Sequence, residues 1–219
     1  MNNLYEFDKE FGRVIIGIDE AGRGPLAGPV VAAAVIIDDY FEEFETINDS
    51  KKLNEKKREA LFDVIIEKCK IGVGIATVEE IDSMNILNAN FLAMRRALED
   101  LEEKGLVLVD GNQLIREYSG EQKFVVKGDS KSLSIAAASI IAKVTRDRIM
   151  LRVAEKYPEY GFEKHKGYGT KLHREKILEL FSRSNNDLFE WNISNITTSI
   201  NSVYCCLTIF VNYNFFKFI

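Results

Sequence analysis

The eleven residues Asp19 to Pro29, DEAGRGPLAGP, constrain the fold more than any other stretch of this chain. They join two apolar runs, Val14 to Ile18 and Val30 to Ile37 (VVAAAVII), that read as strands buried on both faces. Glycine and proline rule out a helix between them. A parallel crossover needs a dozen or more residues, usually helical, and only Ala21 to Pro29 is available. The two strands must therefore form an antiparallel hairpin with a tight, exposed loop.

Further segments extend this hairpin into a sheet. Asn54 is a good N-cap for an amphipathic helix reaching about Lys70, with Leu61, Val64, Ile65 and Lys68 on one face. A third strand is predicted over Ile71 to Val78. A helix is predicted over Asn85 to Lys104, because Leu87, Phe91, Met94, Leu98 and Leu101 recur at helical spacing and Gly105 supplies a stop. Leu106 to Asp110 and Lys123 to Lys127 read as short strands. Ser132 to Tyr157 reads as a helix, apolar first and basic after Lys143, and another helix starts near Thr170. This order predicts an α/β fold, a mixed β-sheet flanked by helices.

Three apolar runs end in acids: VIIGI in Asp19 and Glu20, LVLV in Asp110, and FVVKG in Asp129. Taken singly, such an acid is a solvated turn residue. Three strand ends in one sheet converge on a common cleft, and carboxylates crowded there raise one another's pKa unless cations neutralise them. Neither a Cys-x-x-Cys pair nor a one-turn His pair is present, so the predicted ligands are oxygens and the predicted ions Mg²⁺ or Mn²⁺. Two such ions about 4 Å apart can activate water and stabilise a leaving oxygen in phosphoryl transfer.

Gly22-Arg23-Gly24-Pro25-Leu26-Ala27 formally matches a dinucleotide-binding loop, with Asp38 and Asp39 after the next strand. The hairpin geometry argues against a nucleotide-cofactor oxidoreductase, as does repulsion between a pyrophosphate and Asp19-Glu20. The glycines instead let backbone groups approach a ligand, and peptide groups can meet both the donor and the acceptor of a ribose 2′-hydroxyl. A structural hairpin loop without a ligand is the alternative. Although the net charge is -5, residues 123 to 176 hold 13 Lys/Arg against six Asp/Glu, which suggests a polyanion-binding face. A basic solvated helix face is the alternative there.

GIDEAGRGPLAGPVVAAAVI, DSKKL, VDGN, VKGDSKSLSIAAASIIAKVTRDR and YPEYGFEKHKGYGT, followed by His173, together resemble bacterial ribonuclease HII over about residues 11 to 180. The resemblance implies a ribonuclease H-like fold and a divalent-metal endonuclease leaving 5′-phosphate and 3′-hydroxyl ends. Its substrates would be RNA/DNA hybrids and DNA duplexes with embedded ribonucleotides, as in ribonucleotide excision repair. It assigns Asp19, Glu20, Asp110 and Asp129 to the metal ions. It also assigns Gly22, Arg23 and Gly24 to the 2′-hydroxyl at an RNA-DNA junction, Tyr168 to stacking on the neighbouring deoxyribose, and Lys51 and Lys52 to phosphates. His165 and His173 are expected to be structural, and Cys69 a small core residue.

The chain departs from the family after Leu180. The family's Gly-Pro turn and His-Arg-x-Ser-Phe segment are replaced by Phe181-Ser182-Arg183-Ser184 and a stretch with four charged residues in 39. Residues 1 to 180 are expected to be the catalytic domain and 181 to 219 an atypical tail, either a lineage-specific extension or the product of a reading-frame change. Its longest apolar run, Val203 to Val211, is about half a membrane helix. The start of the chain, with Glu6, Asp8 and Glu10, does not read as a signal peptide. A cytoplasmic monomer without membrane association is expected, and a hybrid-binding protein inactivated by its altered C-terminus is the rival to an active enzyme.

Overall fold

The computed structural model describes residues 3–47 and 53–184. The tail from 185 onward lies outside the described residues. The hairpin is formed by β1 (Ile15–Ala21) and β2 (Val30–Ile36), antiparallel, with Asp19 opposite Ala33 and Glu20 opposite Ala32. Strand β3 (Lys70–Ala76) pairs antiparallel with the other edge of β2, while β4 (Leu106–Asp110) runs parallel to β1 and β5 (Gln122–Val125) parallel to β4. The sheet order is therefore β3-β2-β1-β4-β5. An antiparallel β1-β2 pair leaves no room for a dinucleotide-binding β-α-β unit.

Alternation along the central strands gives two apolar layers. Ile16 and Ile18 of β1 and Val30, Ala32, Ala34 and Ile36 of β2 join the core under α3 (Val78–Leu101), with Phe91, Met94 and Leu98. On the opposite face Ala33 and Val35 pack under α4 (Leu133–Lys156) and α2 (Glu55–Lys68), with Leu133, Ile140, Ile141 and Ile65. Gly17, in the middle of β1, makes the second layer possible. A Cβ there would collide with the backbone of Ser134 and Ile135, so the first turn of α4 rests directly on the strand.

The helix starts follow local chemistry. The Asn54 side chain accepts from the Lys57 N–H at 2.9 Å and opens α2. Thr77 and Glu80 form a capping box that opens α3 at Val78, ahead of the Asn85 start predicted from apolar spacing, and β3 accordingly ends at Ala76. Asn85 is instead an internal kink with φ 71°, and its Oδ1 accepts from the N–H groups of Leu87 and Asn88 at 3.0 and 3.2 Å. At the other end α3 stops at Leu101, where Glu102 takes the left-handed conformation (φ 56°), before the predicted Gly105 stop. Ser132 caps α4 by accepting from the Ile135 N–H at 3.2 Å.

Three further α-helices lie among the described residues. The N-terminal α1 (Asn3–Lys9), which has no long apolar pattern to reveal it, is tied to α4 by Asp8, whose Oδ2 accepts from the Ser134 N–H at 2.8 Å and its hydroxyl at 2.9 Å. Short α5 (Phe162–His165) and α6 (Lys171–Ser184) follow α4. Among the described residues no helix is long and apolar enough to cross a membrane. Cys69, half-buried against the second core layer, has its thiol pushed up to about 12 by burial and by nearby Asp38, so it packs and does not react.

Candidate metal centre and substrate cleft

Asp19 and Glu20 are consecutive in β1, so their side chains leave the strand on opposite faces. Asp19 is 5% exposed, and its Oδ1 accepts from the Glu20 N–H at 2.7 Å while Ser139 of α4 bonds its carboxylate from below. Burial, followed by the negative charges of Glu20 and Asp110, pushes the Asp19 carboxyl well above the usual carboxylate range. Glu20 is engaged from the α3 side by Asn90 and from its own loop by Arg23, 3.0 Å away. Burial raises its pKa as well, and Asp110 adds to the rise while Arg23 opposes it.

Asp110 ends β4, one step beyond the Ile18–Val109 pair of the parallel β1-β4 ladder, which puts it beside Asp19. Its Oδ1 accepts from the Gly128 N–H at 2.6 Å. Asp129 follows directly and is 7% exposed. It does not sit at a strand end as predicted. β5 stops at Val125, Lys127 turns left-handed, and Asp129 occupies a single 3-10 turn, Gly128–Ser130, that leads into α4. Thus Asp19, Glu20 and Asp110 share one electrostatic field, and the Gly128 peptide carries Asp129 to its border.

Among the described residues no three His, Cys, Asp or Glu side chains close around a single point. Glu20 is turned onto Arg23 and Asp110 onto a backbone amide. The donor set is nevertheless all oxygen, and carboxylates that raise one another's pKa are those a hard divalent cation would relieve. Asp19, Glu20, Asp110 and Asp129 are the carboxylates from which such ions would draw their ligands.

Beyond the loop at 22–29 opens a cleft of about 330 Å³ where Arg58 of α2, Lys143 of α4, Lys164 and Lys166 outnumber the acids Glu55 and Asp147, with Tyr168 at its edge. The Tyr168 ring is 41% exposed, with the Lys143 ammonium 5.5 Å from its centroid. Lys143 is held at 2.5 Å by Asp147, one turn further along α4. The local positive balance was the sequence signal for Lys143, Lys164 and Lys166, but Arg58 lies outside that segment and carried none. Ser139 and Asn90 also escaped notice, since a polar residue in a helix gives no sign of the acid it will face. Lys51 and Lys52 lie outside the described residues.

The two histidines are structural, as expected. Their rings stack at 4.4 Å, with His165 Nε2 3.1 Å from the Tyr160 carbonyl and His173 Nδ1 3.0 Å from that of Tyr168. His165 Nδ1 also accepts from the Gly167 N–H at 3.3 Å. Together they fix the backbone under the Tyr168 ring.

Comparison with known proteins places these features in context. A family model described as Ribonuclease HII matches residues 16–192. The Ribonuclease HII of Fusobacterium nucleatum subsp. nucleatum is 66% identical over 183 residues, covering 81% of this chain and 85% of that protein. Among solved structures, the ribonuclease H2 from Pyrococcus horikoshii OT3 superposes with a TM-score of 0.67 at 30% identity, covering 80% of this chain and 90% of that one. Bst-RNase HIII in complex with Mn²⁺ gives a TM-score of 0.65 over 77% of this chain and 62% of that one, a likeness of fold at 22% identity.

Proposed function

The chain belongs to the ribonuclease HII family of RNase H-type endonucleases, and from that premise we propose that it hydrolyses the RNA strand of RNA/DNA hybrids and nicks duplex DNA at embedded ribonucleotides. The observation that carries this reading is the shared field of Asp19, Glu20 and Asp110, in which burial and mutual repulsion raise the pKa of the first two.

Residues 1 to 180 form the catalytic domain in this reading, with Asp19, Glu20, Asp110 and Asp129 holding two Mg²⁺ or Mn²⁺ ions. When bound, such ions supply a nucleophilic hydroxide and offset the charge that develops on the phosphate. Ser139 and the Gly128 amide orient the Asp19 and Asp110 carboxylates before substrate arrives. Arg23, half-exposed and pointing at Glu20, stands where it can exchange that carboxylate for a phosphate oxygen. The backbone of Gly22 to Gly24 meets the 2′-hydroxyl, and Tyr168 stacks on the adjacent deoxyribose. Lys51, Lys52 and the basic cleft grip the flanking phosphates. The protein acts as a cytoplasmic monomer.

The test is a duplex with one embedded ribonucleotide, incubated with Mn²⁺, with Mg²⁺ and with neither. The expected result is metal-dependent nicking at the ribonucleotide, leaving 3′-hydroxyl and 5′-phosphate ends. Salt-sensitive binding of the same duplex without cutting under any condition would instead make the chain a hybrid-binding protein.

A further inference from the structure

Among the described residues Arg146 is the largest side chain that is wholly buried. Its guanidinium donates to three backbone carbonyls: Nε to Pro29 at 3.0 Å, one terminal nitrogen to Ala27 at 2.9 Å, and the other to Lys166 at 3.0 Å. Two of these acceptors belong to the loop between β1 and β2, and the third belongs to the segment that presents Tyr168. The guanidinium carbon also lies 5.8 Å from the centroid of the Tyr168 ring.

The joint it spans is tight from every side. The Leu26 N–H donates to the Gly167 carbonyl at 2.9 Å. A Cβ on Gly167 would run into the Ala27 carbonyl, and one on Gly22 would meet the Pro29 carbonyl and the Arg146 Nε. Arg146 also stands two helical turns from Ser139, on the same side of α4. One rigid helix therefore holds Asp19 through Ser139 and the substrate-reading loop through Arg146.

We propose that Arg146 is a positioning residue that fixes the register between the Gly22–Gly24 loop and Tyr168, and thereby sets discrimination for a lone ribonucleotide in DNA. The inference rests on the reading of those two segments as the contacts on either side of an RNA-DNA junction. A planar guanidinium spreads its donors over three nitrogens in fixed directions and so sets the spacing of three carbonyls, whereas the three donors of an ammonium share one nitrogen on a flexible stem. A uniform RNA strand offers a 2′-hydroxyl at every register and no deoxyribose for Tyr168, so cleavage there does not depend on the spacing between the loop and the tyrosine. At a single ribonucleotide the loop and the tyrosine must fall on two successive sugars, and a shift near 1 Å can cost about 100-fold.

The experiment compares kcat/KM on a duplex with one embedded ribonucleotide and on a uniform RNA/DNA hybrid, for the native chain, Arg146→Lys and Gly167→Ala. The second variant disturbs the same joint through a φ of +85° and the Ala27 carbonyl, with the charge left in place. Loss of folded protein lowers both rates equally and cancels in their ratio. The expected result is a fall of about tenfold or more in the embedded-to-hybrid ratio for both variants, with the Mn²⁺ concentration for half-maximal hybrid cleavage unchanged. An unchanged ratio would overturn the role of Arg146 while leaving the nuclease reading intact, and so would a shifted Mn²⁺ requirement. Failure of the native chain to nick at a single ribonucleotide would instead remove the junction reading itself.

Discussion

Asp110 receives the backbone N–H of Gly128 at 2.6 Å, so the carboxylate that ends β4 is also the anchor of the turn leading to Asp129 and α4. An asparagine at position 110 keeps a carbonyl oxygen for that amide and loses the charge. Asp110→Asn is therefore expected to reduce cleavage by about 10³-fold or more with little change in the thermal midpoint. Steady-state nicking rates and a melting curve check this, and a rate near that of the native chain would remove Asp110 from the metal site.

The basic cleft makes a separate prediction, about binding. Lys164 is exposed, and its ion pair with Glu163 is long, at 4.0 Å. In the Asp110→Asn background, Lys164→Ala should weaken hybrid binding and lower the slope of log K against log salt by about 0.9, the share of one phosphate contact. Titrations between roughly 50 and 200 mM salt provide the slope. If it does not change, Lys164 does not touch a phosphate.

His173 gives the fold a response to acid. Burial, reinforced by neighbouring His165, holds its pKa below the ordinary 6.5, and its Nε2 has no hydrogen-bond partner. A folded pKa below the unfolded one means stability that is present above pH 6.5 and is lost as pH falls through the depressed value. Urea midpoints measured from neutral pH down through this window should decline less steeply in His173→Gln than in the native chain. Parallel curves would show that the ring does not titrate against the fold.

Asp8 is predicted to matter for stability alone. Its Oδ2 takes two hydrogen bonds from Ser134 in the first turn of α4, where a negative charge also meets the positive end of the helix. Burial raises its pKa and Oδ1 is without a partner, which offsets part of this gain. Asp8→Ala should lower unfolding free energy by about 1–3 kcal/mol, the range for losing a cap and stranding a buried amide. Chemical denaturation measures it, with kcat for hybrid cleavage preserved.

The central hairpin and the sheet class were legible because the loop at 19–29 is too short for any other connection, a constraint of chain length that tertiary packing cannot override. Asp19, Glu20 and Asp110 were legible for a similar reason: an acid ending an apolar run stands where β1 and β4 open onto the same cleft. Asp129 was expected at a strand end and lies instead in a 3-10 turn, because the left-handed turn at Lys127 has no glycine to announce it. The early start of α3 lay in the Thr77–Glu80 capping box, a signal independent of the apolar spacing used to find the helix. Arg146 could not be found from sequence at all. On α4 it looks like one of several basic residues, and only the packed structure separates it from Arg148, which is exposed and paired with Glu59.

The missing side chain at Gly17 carries a consequence for how the acidic centre bears stress. Because main chain touches main chain between β1 and α4, no compressible layer cushions the separation of Asp19 from Ser139. Repacking elsewhere in the hydrophobic layers can relax by rotamer changes without altering that gap. Even the smallest addition at position 17 would act as a wedge, prising the helix away two residues before Asp19.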